Sequence, residues 1–353
     1  DPPFPVADWD RYTFLGFLGQ GGMGKVFLAQ DRRLGREVAI KFVRVEDGRF
    51  LTKFMAEARA QARVDHPHVC KVFEVGEVEG KVFIAMQHVR GLPLDVAALH
   101  LTLEQKVMVM RDAALGVHEA HRVGIIHRDL KPSNILVERD EEGRDQAYVM
   151  DFGLAHEWSA ESTETGSVIG TPAYMSPEQA RGEVSRLDRR ADVYSLGATL
   201  YQILTGRPAV EGSNPLEILS AVSSADPKPF RALKLEIPRD LEAVTLKCLE
   251  KDRARRYDSA RALAEDLDRF LAGDPVEARA TGLWYLLQRK ARKHWQLTAM
   301  ALGASLLVAI AGGYALKAKR DADRREVLAR RFTEAMARLE SLARYSALAP
   351  PHD

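Results

Sequence analysis

The chain has 353 residues, 46% hydrophobic and 29% charged, with 51 Lys and Arg against 50 Asp and Glu and a formal net charge of +1. That length and apolar content support two or three domains with a sizeable core, and the even charge balance argues against a nucleic-acid partner, which draws on a basic excess. Cys70 and Cys248 are the only cysteines, too few for a disulfide framework or a cysteine zinc site; two isolated thiols fit a reducing compartment. The chain begins at Asp1 rather than Met, so it reads as a segment of something longer, with no signal peptide visible at its start.

Residues 1–11 are Pro-rich and acidic and read as an extended leader. Tyr12 to Leu18 and Lys25 to Gln30 read as strands around Gly19-Gln20-Gly21-Gly22-Met23-Gly24-Lys25-Val26. Glycines there let the backbone approach phosphate oxygens and aim its N–H groups at them. The dinucleotide fingerprint shares this glycine spacing but needs a helix next; the alternating β-branched and aromatic residues that follow favour a hairpin. Val38-Ala39-Ile40-Lys41 continues the sheet after a turn at Arg32-Arg33-Leu34-Gly35. A lysine in such a run is ordinarily an edge residue with its head in water. A helix is expected over Phe50 to Val64, with Phe54, Ala58 and Ala62 on one face and Glu57 on its length. Strands at Val69 to Val75 and Val82 to Met86 then complete an antiparallel layer, ahead of Gln87-His88-Val89. From about Gly91 the pattern turns helical, and Leu103 to Gly124 carries Val107, Met110, Ala114 and Val117 at helical spacing.

The densest chemistry lies in His127-Arg128-Asp129-Leu130-Lys131-Pro132-Ser133-Asn134 and in Asp151-Phe152-Gly153. Ile135-Leu136-Val137, a charged turn and Ala147-Tyr148-Val149-Met150 between them read as a hairpin, holding Asp129, Lys131, Asn134 and Asp151 at one edge. Asn134 and Asp151 offer hard oxygen ligands of the kind Mg²⁺ takes alongside phosphate oxygens. Asp129 can accept a proton from an attacking hydroxyl, and Lys131 can offset charge on a transferred phosphoryl group. A hydroxyl-rich stretch follows (Ser159, Ser162, Thr163, Thr165, Ser167), then Gly170-Thr171-Pro172-Ala173-Tyr174-Met175-Ser176-Pro177-Glu178.

Gly273-Asp274-Pro275 makes a helix stop and a domain boundary. Arg289-Lys290-Ala291-Arg292-Lys293-His294-Trp295 then leads into Leu297 to Leu316, which carries no charge. About twenty residues is the length that crosses a bilayer as a helix. A buried core helix is the alternative, but the basic flanks on both sides (Lys317, Lys319 and Arg320 beyond) and Trp295 at the border favour a span. Asp321 to Leu348 is a charged helical pattern with Leu328, Phe332, Met336 and Leu339 near one face. It reads equally as a dimerising coiled coil or as the start of an outer sensor region.

The run from His127 to Asn134, with Asp151-Phe152-Gly153 at hairpin distance, resembles the catalytic and metal-binding loops of the eukaryotic-like (Hanks-type) serine/threonine protein kinases, and the whole chain resembles their bacterial single-pass transmembrane receptor type. The resemblance runs from about Tyr12 to Leu271. It implies an α+β, bilobal protein kinase fold, with a β-rich small lobe and a helical large lobe, followed by one transmembrane helix. It implies an ATP site formed by Leu18, Gly19, Gln20, Gly21, Gly22, Gly24, Val26, Ala39, Lys41, Met86, Gln87 and Val89. Lys41, set by Glu57, would hold ATP phosphates; Glu57 as an ordinary solvated helix residue is the alternative. Asn134 and Asp151 would hold Mg²⁺, with Mn²⁺ as a substitute. Asp129 would act as the base, with Lys131 favouring Ser/Thr over Tyr. Met86 matches the gatekeeper behind the adenine, and Gln87-His88-Val89 the hinge. Related bacterial kinases commonly carry Glu and Tyr at the first two of these hinge positions. Hinge contacts run through the backbone, so the departure leaves ATP binding intact, and His88 reads as a rim residue. Ser-Pro-Glu stands where Ala-Pro-Glu is usual and keeps the glutamate. Glu178 is expected in a buried ion pair with Arg256, and Asp192 is expected to brace the catalytic-loop backbone.

Arg128 beside a catalytic carboxylate calls for an anion. A phosphate on Thr163, Thr165 or Ser167 would supply one and order the loop; a polar loop with incidental hydroxyls is the competing reading. Thr171 reads as a structural contact to the catalytic loop. The expected organisation is a leader (1–11), a kinase domain (12–272, with small lobe 12–86, hinge 87–90 and large lobe 91–272), a basic juxtamembrane segment (273–296), a transmembrane helix (297–316) and a helical extracytoplasmic linker or start of a sensor region (317–353). Expected partners are protein substrates, membrane lipid along the transmembrane helix and, as an option, a second copy of the chain. The expected place is the cell (inner) membrane, with the kinase domain cytoplasmic, where ATP is, and the C-terminal segment outside. A scaffold that keeps the fold without catalysis is countered by the intact Gly19, Lys41, Glu57, Asp129, Asn134 and Asp151. A small-molecule kinase of the same fold is countered by the segment from Gly170 to Glu178, which resembles a peptide-binding platform.

Overall fold

The structure is a computed structural model that describes residues 2–21, 24–43, 48–152, 172–279 and, further on, helical residues 311–314, 316–317, 319–320, 324–325 and 327–340. The chain divides into two units, residues 1–286 and 287–353.

The first unit opens with five antiparallel strands: β1 (Tyr12–Gly21), β2 (Gly24–Asp31), β3 (Arg36–Val43), β4 (Val72–Val78) and β5 (Lys81–Gln87), in the order β1-β2-β3-β5-β4. Helix α1 (Gly48–Gln61) lies between β3 and β4 in sequence. Strand β3 sits at the centre, and Val38 to Phe42 are all buried, because both faces of this sheet are covered. Its even-numbered side chains Val38, Ile40 and Phe42 join Phe27 and Phe83 in one core. Ala39 faces the other way, into a second core with Val82, Ile84, Met86 and Ala58 of α1. Side chains alternate along a strand, so Lys41 falls on the side of Ala39, and slipping the register by one residue would bury it in the aromatic core instead.

The leader has no regular secondary structure, yet it is an integral part of this lobe. Phe4 packs edge-on against Phe27 (5.3 Å between ring centroids) and Phe42 (5.6 Å), and Trp9 against Phe83 (4.7 Å). Val6 is buried, and Lys81 Nζ donates to the Pro5 carbonyl at 2.7 Å. Its apolar residues cover the aromatic face of the sheet, which would otherwise meet water.

Beyond the hinge come β6 (Leu92–Pro93), α2 (Leu94–Ala97) and α3 (Leu103–Arg122), then the hairpin of β7 (Ile135–Arg139) and β8 (Asp145–Val149). Strands β6, β7 and β8 form a small second sheet in that order. Helix α3 begins at a capping box, where Thr102 Oγ1 accepts from the Gln105 N–H and the Gln105 side chain accepts from the Thr102 N–H. The remaining helices are α4 (Pro177–Ala180), α5 (Arg190–Thr205), α6 (Pro215–Ser224), α7 (Arg239–Cys248) and α8 (Ala260–Ala272). Helix α5 is buried on all sides from Ala191 to Tyr201, so it is the axis of the large lobe.

Helix α8 stops at Gly273, whose φ of 73° is left-handed. The packed unit runs past the expected boundary at 272. Val276 is buried, the Asp266 carboxylate accepts from the N–H groups of Glu277 (2.6 Å) and Ala278 (2.9 Å), and Arg279 pairs with Asp240 at 2.7 Å. A buried carboxylate needs such donors, and the next turn of chain supplies them.

In the second unit, residues 327–340 are helical, with Leu328, Phe332, Met336 and Leu339 exposed. Among the described residues no helix is long and apolar enough to cross a membrane. Most of the expected span, residues 297–310, lies outside the described residues, as do 280–296 and 341–353.

Candidate active site

The β7–β8 hairpin pairs Ile135 with Val149, and the Met150 N–H donates to the Asn134 carbonyl at 2.9 Å, so the residues flanking the strands meet at one edge. Asp129 Oδ2 there accepts from Lys131 Nζ at 2.8 Å and from Asn134 Nδ2 at 3.1 Å. Asn134 Nδ2 also donates to the Asp129 carbonyl at 2.7 Å, which leaves the Asn134 Oδ1 acceptor for another group. Lys41 Nζ lies 2.8 Å from Asp151 Oδ2. Burial pushes the Asp151 carboxyl up, and the Lys41 ammonium, helped by Lys131, brings it below the usual carboxylate range. Asp151 is therefore ionised at neutral pH and available to a cation.

The loop carrying Asp129 is held by its neighbours rather than by its own hydrogen bonds. Arg128 has a φ of 65°, a left-handed conformation that costs of order 1–3 kcal/mol in a non-glycine residue and persists only where its surroundings impose it. The fully buried Asp192 of α5 does so: its Oδ2 accepts from the His127 N–H at 2.8 Å and its Oδ1 from the Arg128 N–H at 2.9 Å. His121 Nε2, at the end of α3, is 2.7 Å from the same carboxylate. Burial pushes the Asp192 carboxyl up, and the His121 hydrogen bond, with His127 behind it, brings the balance below the usual range. On the far side, Gln179 Nε2 of α4 donates to the Arg128 carbonyl at 2.8 Å.

His127 Nε2 is 2.8 Å from the Met150 carbonyl and Nδ1 is 3.3 Å from the Asp129 N–H. A carbonyl only accepts and an N–H only donates, so the proton sits on Nε2 and Nδ1 accepts. The Phe152 ring, almost fully buried, lies 4.7 Å from the His127 ring and ties the loop to the large-lobe core. Arg128 Nε is buried with no partner among the described residues.

The wall of the cleft is apolar. Val26, Ala39, Met86, Val89, Leu136 and Met150 belong to one cluster, drawn from β2, β3, β5, the hinge and the hairpin edge. Leu18 is exposed near the end of β1, and Gly21 pairs with Gly24 across the glycine turn. A Cβ at Gly24 would stand 1.9 Å from the Phe42 carbonyl oxygen, so the sheet itself demands glycine there. At Gly19 and Gly21 a Cβ would meet nothing within 4 Å. Glycine at those two positions leaves room for something outside the protein.

Lys41 Nζ pairs with Asp151, and Glu57, expected to set Lys41, is half-buried on α1. Glu178 and Arg256 form a buried bidentate pair, with Nη1–Oε1 at 2.7 Å and Nη2–Oε2 at 2.9 Å. Gly22, Gly153, Thr163, Thr165, Ser167 and Thr171 lie outside the described residues. Sequence reasoning missed His121, Gln179 and a hinge cluster of Glu37, His88 and Arg90. The first two had no periodic or motif signal; they act only through partners distant in sequence.

Residues 12–267 match the family model of the protein kinase domain. The chain belongs to the protein kinase family. This kinase chain is 39% identical over 282 residues to the serine/threonine-protein kinase PknB of Mycobacterium tuberculosis, covering 76% of itself and 44% of that protein. It is 36% identical over 302 residues to the probable serine/threonine-protein kinase PknB of Bifidobacterium longum, covering 80% of itself and 43% of that protein. The chain thus spans less than half the length of these relatives. Among solved structures, the kinase domain of Mycobacterium tuberculosis PknI superposes with a TM-score of 0.59 at 25% identity, over 74% of this chain and 97% of that one. A double mutant of the same domain reaches a TM-score of 0.62 at 24% identity, over 77% of this chain and 100% of that one. The chain shares its fold with these solved kinase domains.

Proposed function

We propose that this kinase transfers the γ-phosphoryl group of ATP to Ser or Thr hydroxyls of protein substrates. The observation that carries the reading is the Asp129 carboxylate, oriented by Lys131 at 2.8 Å and Asn134 at 3.1 Å on a loop braced by Asp192. Asp129 orients the substrate hydroxyl and takes its proton as the oxygen–phosphorus bond forms and the bond to ADP breaks. Lys131 Nζ lies beside the reacting carboxylate, where its charge offsets that building on the phosphoryl oxygens. Lys41 supplies a second fixed cation for the phosphates. The oxygen set fits a hard divalent cation, since Asp151 is ionised and Asn134 Oδ1 is left over once its Nδ2 is spent on Asp129. Asn134 and Asp151 would hold Mg²⁺, which would supply positive charge against that of the phosphates.

Regulation and place extend the reading. The buried Arg128 Nε supports an anionic partner for that side chain, and a phosphate on Thr163, Thr165 or Ser167 has the matching chemistry. The uncharged run from Leu297 to Leu316 between basic flanks supports anchoring in the cell membrane with the kinase domain in the cytosol.

The test is phosphoryl transfer from labelled Mg-ATP by the unaltered chain beside Asp129→Asn, with the modified residues mapped. Label on Ser or Thr is expected, with the variant's kcat lower by about 10²–10⁴-fold and its nucleotide affinity retained. Nucleotide binding without transfer to itself or to any protein offered would refute the reading.

A further inference from the structure

Glu37, four residues before Lys41 on β3, reaches across to the segment that joins the lobes. Its Oε2 accepts from His88 Nδ1 at 3.1 Å and from Arg90 Nη2 at 2.9 Å. The same segment is held from the large lobe, where the Arg90 N–H donates to Glu138 Oε1 at 2.8 Å. Gly91 lies so near β7 that an added Cβ would stand 2.5 Å from the Val137 carbonyl oxygen. On the small-lobe side, the Gln87 N–H donates to the Lys71 carbonyl at 2.8 Å. Between these fixings lies Val89, whose side chain packs with Ala39 and Met86 and whose backbone N–H and C=O have no partner among the described residues.

We propose that Glu37 is a positioning residue for the nucleotide: by holding His88 and Arg90 it clamps the hinge and presents the Val89 backbone to an adenine edge. The proposal rests on the reading of the cleft as an ATP site and deepens it. A loose hinge must be ordered when nucleotide binds, and that ordering subtracts from affinity; a clamped hinge has already met the cost. The carboxylate suits the task because the Arg90 hydrogen bond, then that of His88, holds it below the usual range, so it stays charged at working pH. The resemblance assigns no role to this position. Glu37 points at the hinge rather than at the nucleotide, so its effect belongs to binding and not to the chemical step.

The experiment measures KM for ATP, kcat, the dissociation constant of fluorescent ADP and the melting temperature for the unaltered chain, Glu37→Ala and Glu37→Gln. In Glu37→Ala, KM and the dissociation constant should rise about three- to tenfold while kcat stays within about twofold, the pattern of lost uniform binding. Glu37→Gln keeps one acceptor oxygen and should recover at least half of that loss. Should Glu37→Ala fail to fold, Arg90→Ala carries the same test, because the Arg90 side chain is 72% exposed. An unchanged KM and dissociation constant, or a fall in kcat alone, would overturn the clamp and leave the ATP site standing. No nucleotide binding by the unaltered chain would overturn both.

Discussion

Arg256→Ala should be among the most damaging single changes in the large lobe that touch no reacting group. The arginine side chain is fully buried and Glu178 is 4% exposed. Besides the two bonds to Glu178, Arg256 donates from Nε to the Glu250 carbonyl at 2.7 Å, from Nη1 to that of Arg190 at 3.1 Å and from Nη2 to that of Lys251 at 3.2 Å. Truncation strips one carboxylate and three carbonyls of a charged donor and leaves a cavity. Removing one partner of a buried pair costs about 3–5 kcal/mol. At about 3 °C per kcal/mol for a domain of this size, the melting temperature should fall by about 12 °C. The sign of the pH dependence sharpens the test. Burial raises the Glu178 carboxyl and the Arg256 hydrogen bonds bring it below the usual range, so the pair's stabilisation is complete above that range and fades as pH falls through it. In the variant, burial, the largest cause, is opposed only by the hydrogen bonds from Ser176 and the Glu178 backbone, so the carboxyl rises and the deficit should be largest at neutral pH and shrink towards pH 4–5, on the order of the ordinary carboxylate range. The assay is thermal unfolding followed by circular dichroism at several pH values, for Arg256→Ala, Glu178→Leu and the double variant. Additive single effects, or a pH-independent deficit, would refute the reasoning.

Asp192→Asn replaces an ionised acceptor by an amide whose nitrogen cannot accept from the loop N–H groups; it should cost about 2–4 kcal/mol in unfolding free energy and lower kcat. Since the Asp192 carboxyl is held below the usual range, its contribution is present at neutral pH and lost on acidification, so the variant's acid limb should be flatter than that of the unaltered chain. Trp9→Ala should destabilise the small lobe by about 2–3 kcal/mol in denaturant melts, short of a full core loss because Trp9 is only half-buried. An unchanged midpoint would mean that the leader does not stabilise the sheet.

Much of this molecule was legible locally. The hairpin between Asn134 and Asp151, the antiparallel strands of the small lobe and the helix stop at Gly273 follow from side-chain alternation, turn residues and glycine chemistry, which act over a few residues. The acidic, amide and ammonium groups from Asp129 to Asp151 were readable for the same reason: one short loop and one hairpin carry them all.

What the sequence left open was decided by contacts between distant residues. Nothing near Asp1 says that Phe4 and Trp9 cap an aromatic sheet face, because that face is assembled from β2, β3 and β5. Lys41 pairs with Asp151, 110 positions later in the numbering. That pairing depends on which carboxylate the fold brings within reach. Nothing in the sequence singles out Glu37; His88 and Arg90 reach it only when β3 and β5 pair. Residue type and short-range pattern thus pointed to the two-lobed fold and to the candidate site groups. Burial and long-range pairing set their orientation and the residues that hold them, because desolvation and hydrogen-bond geometry exist only once the chain has packed.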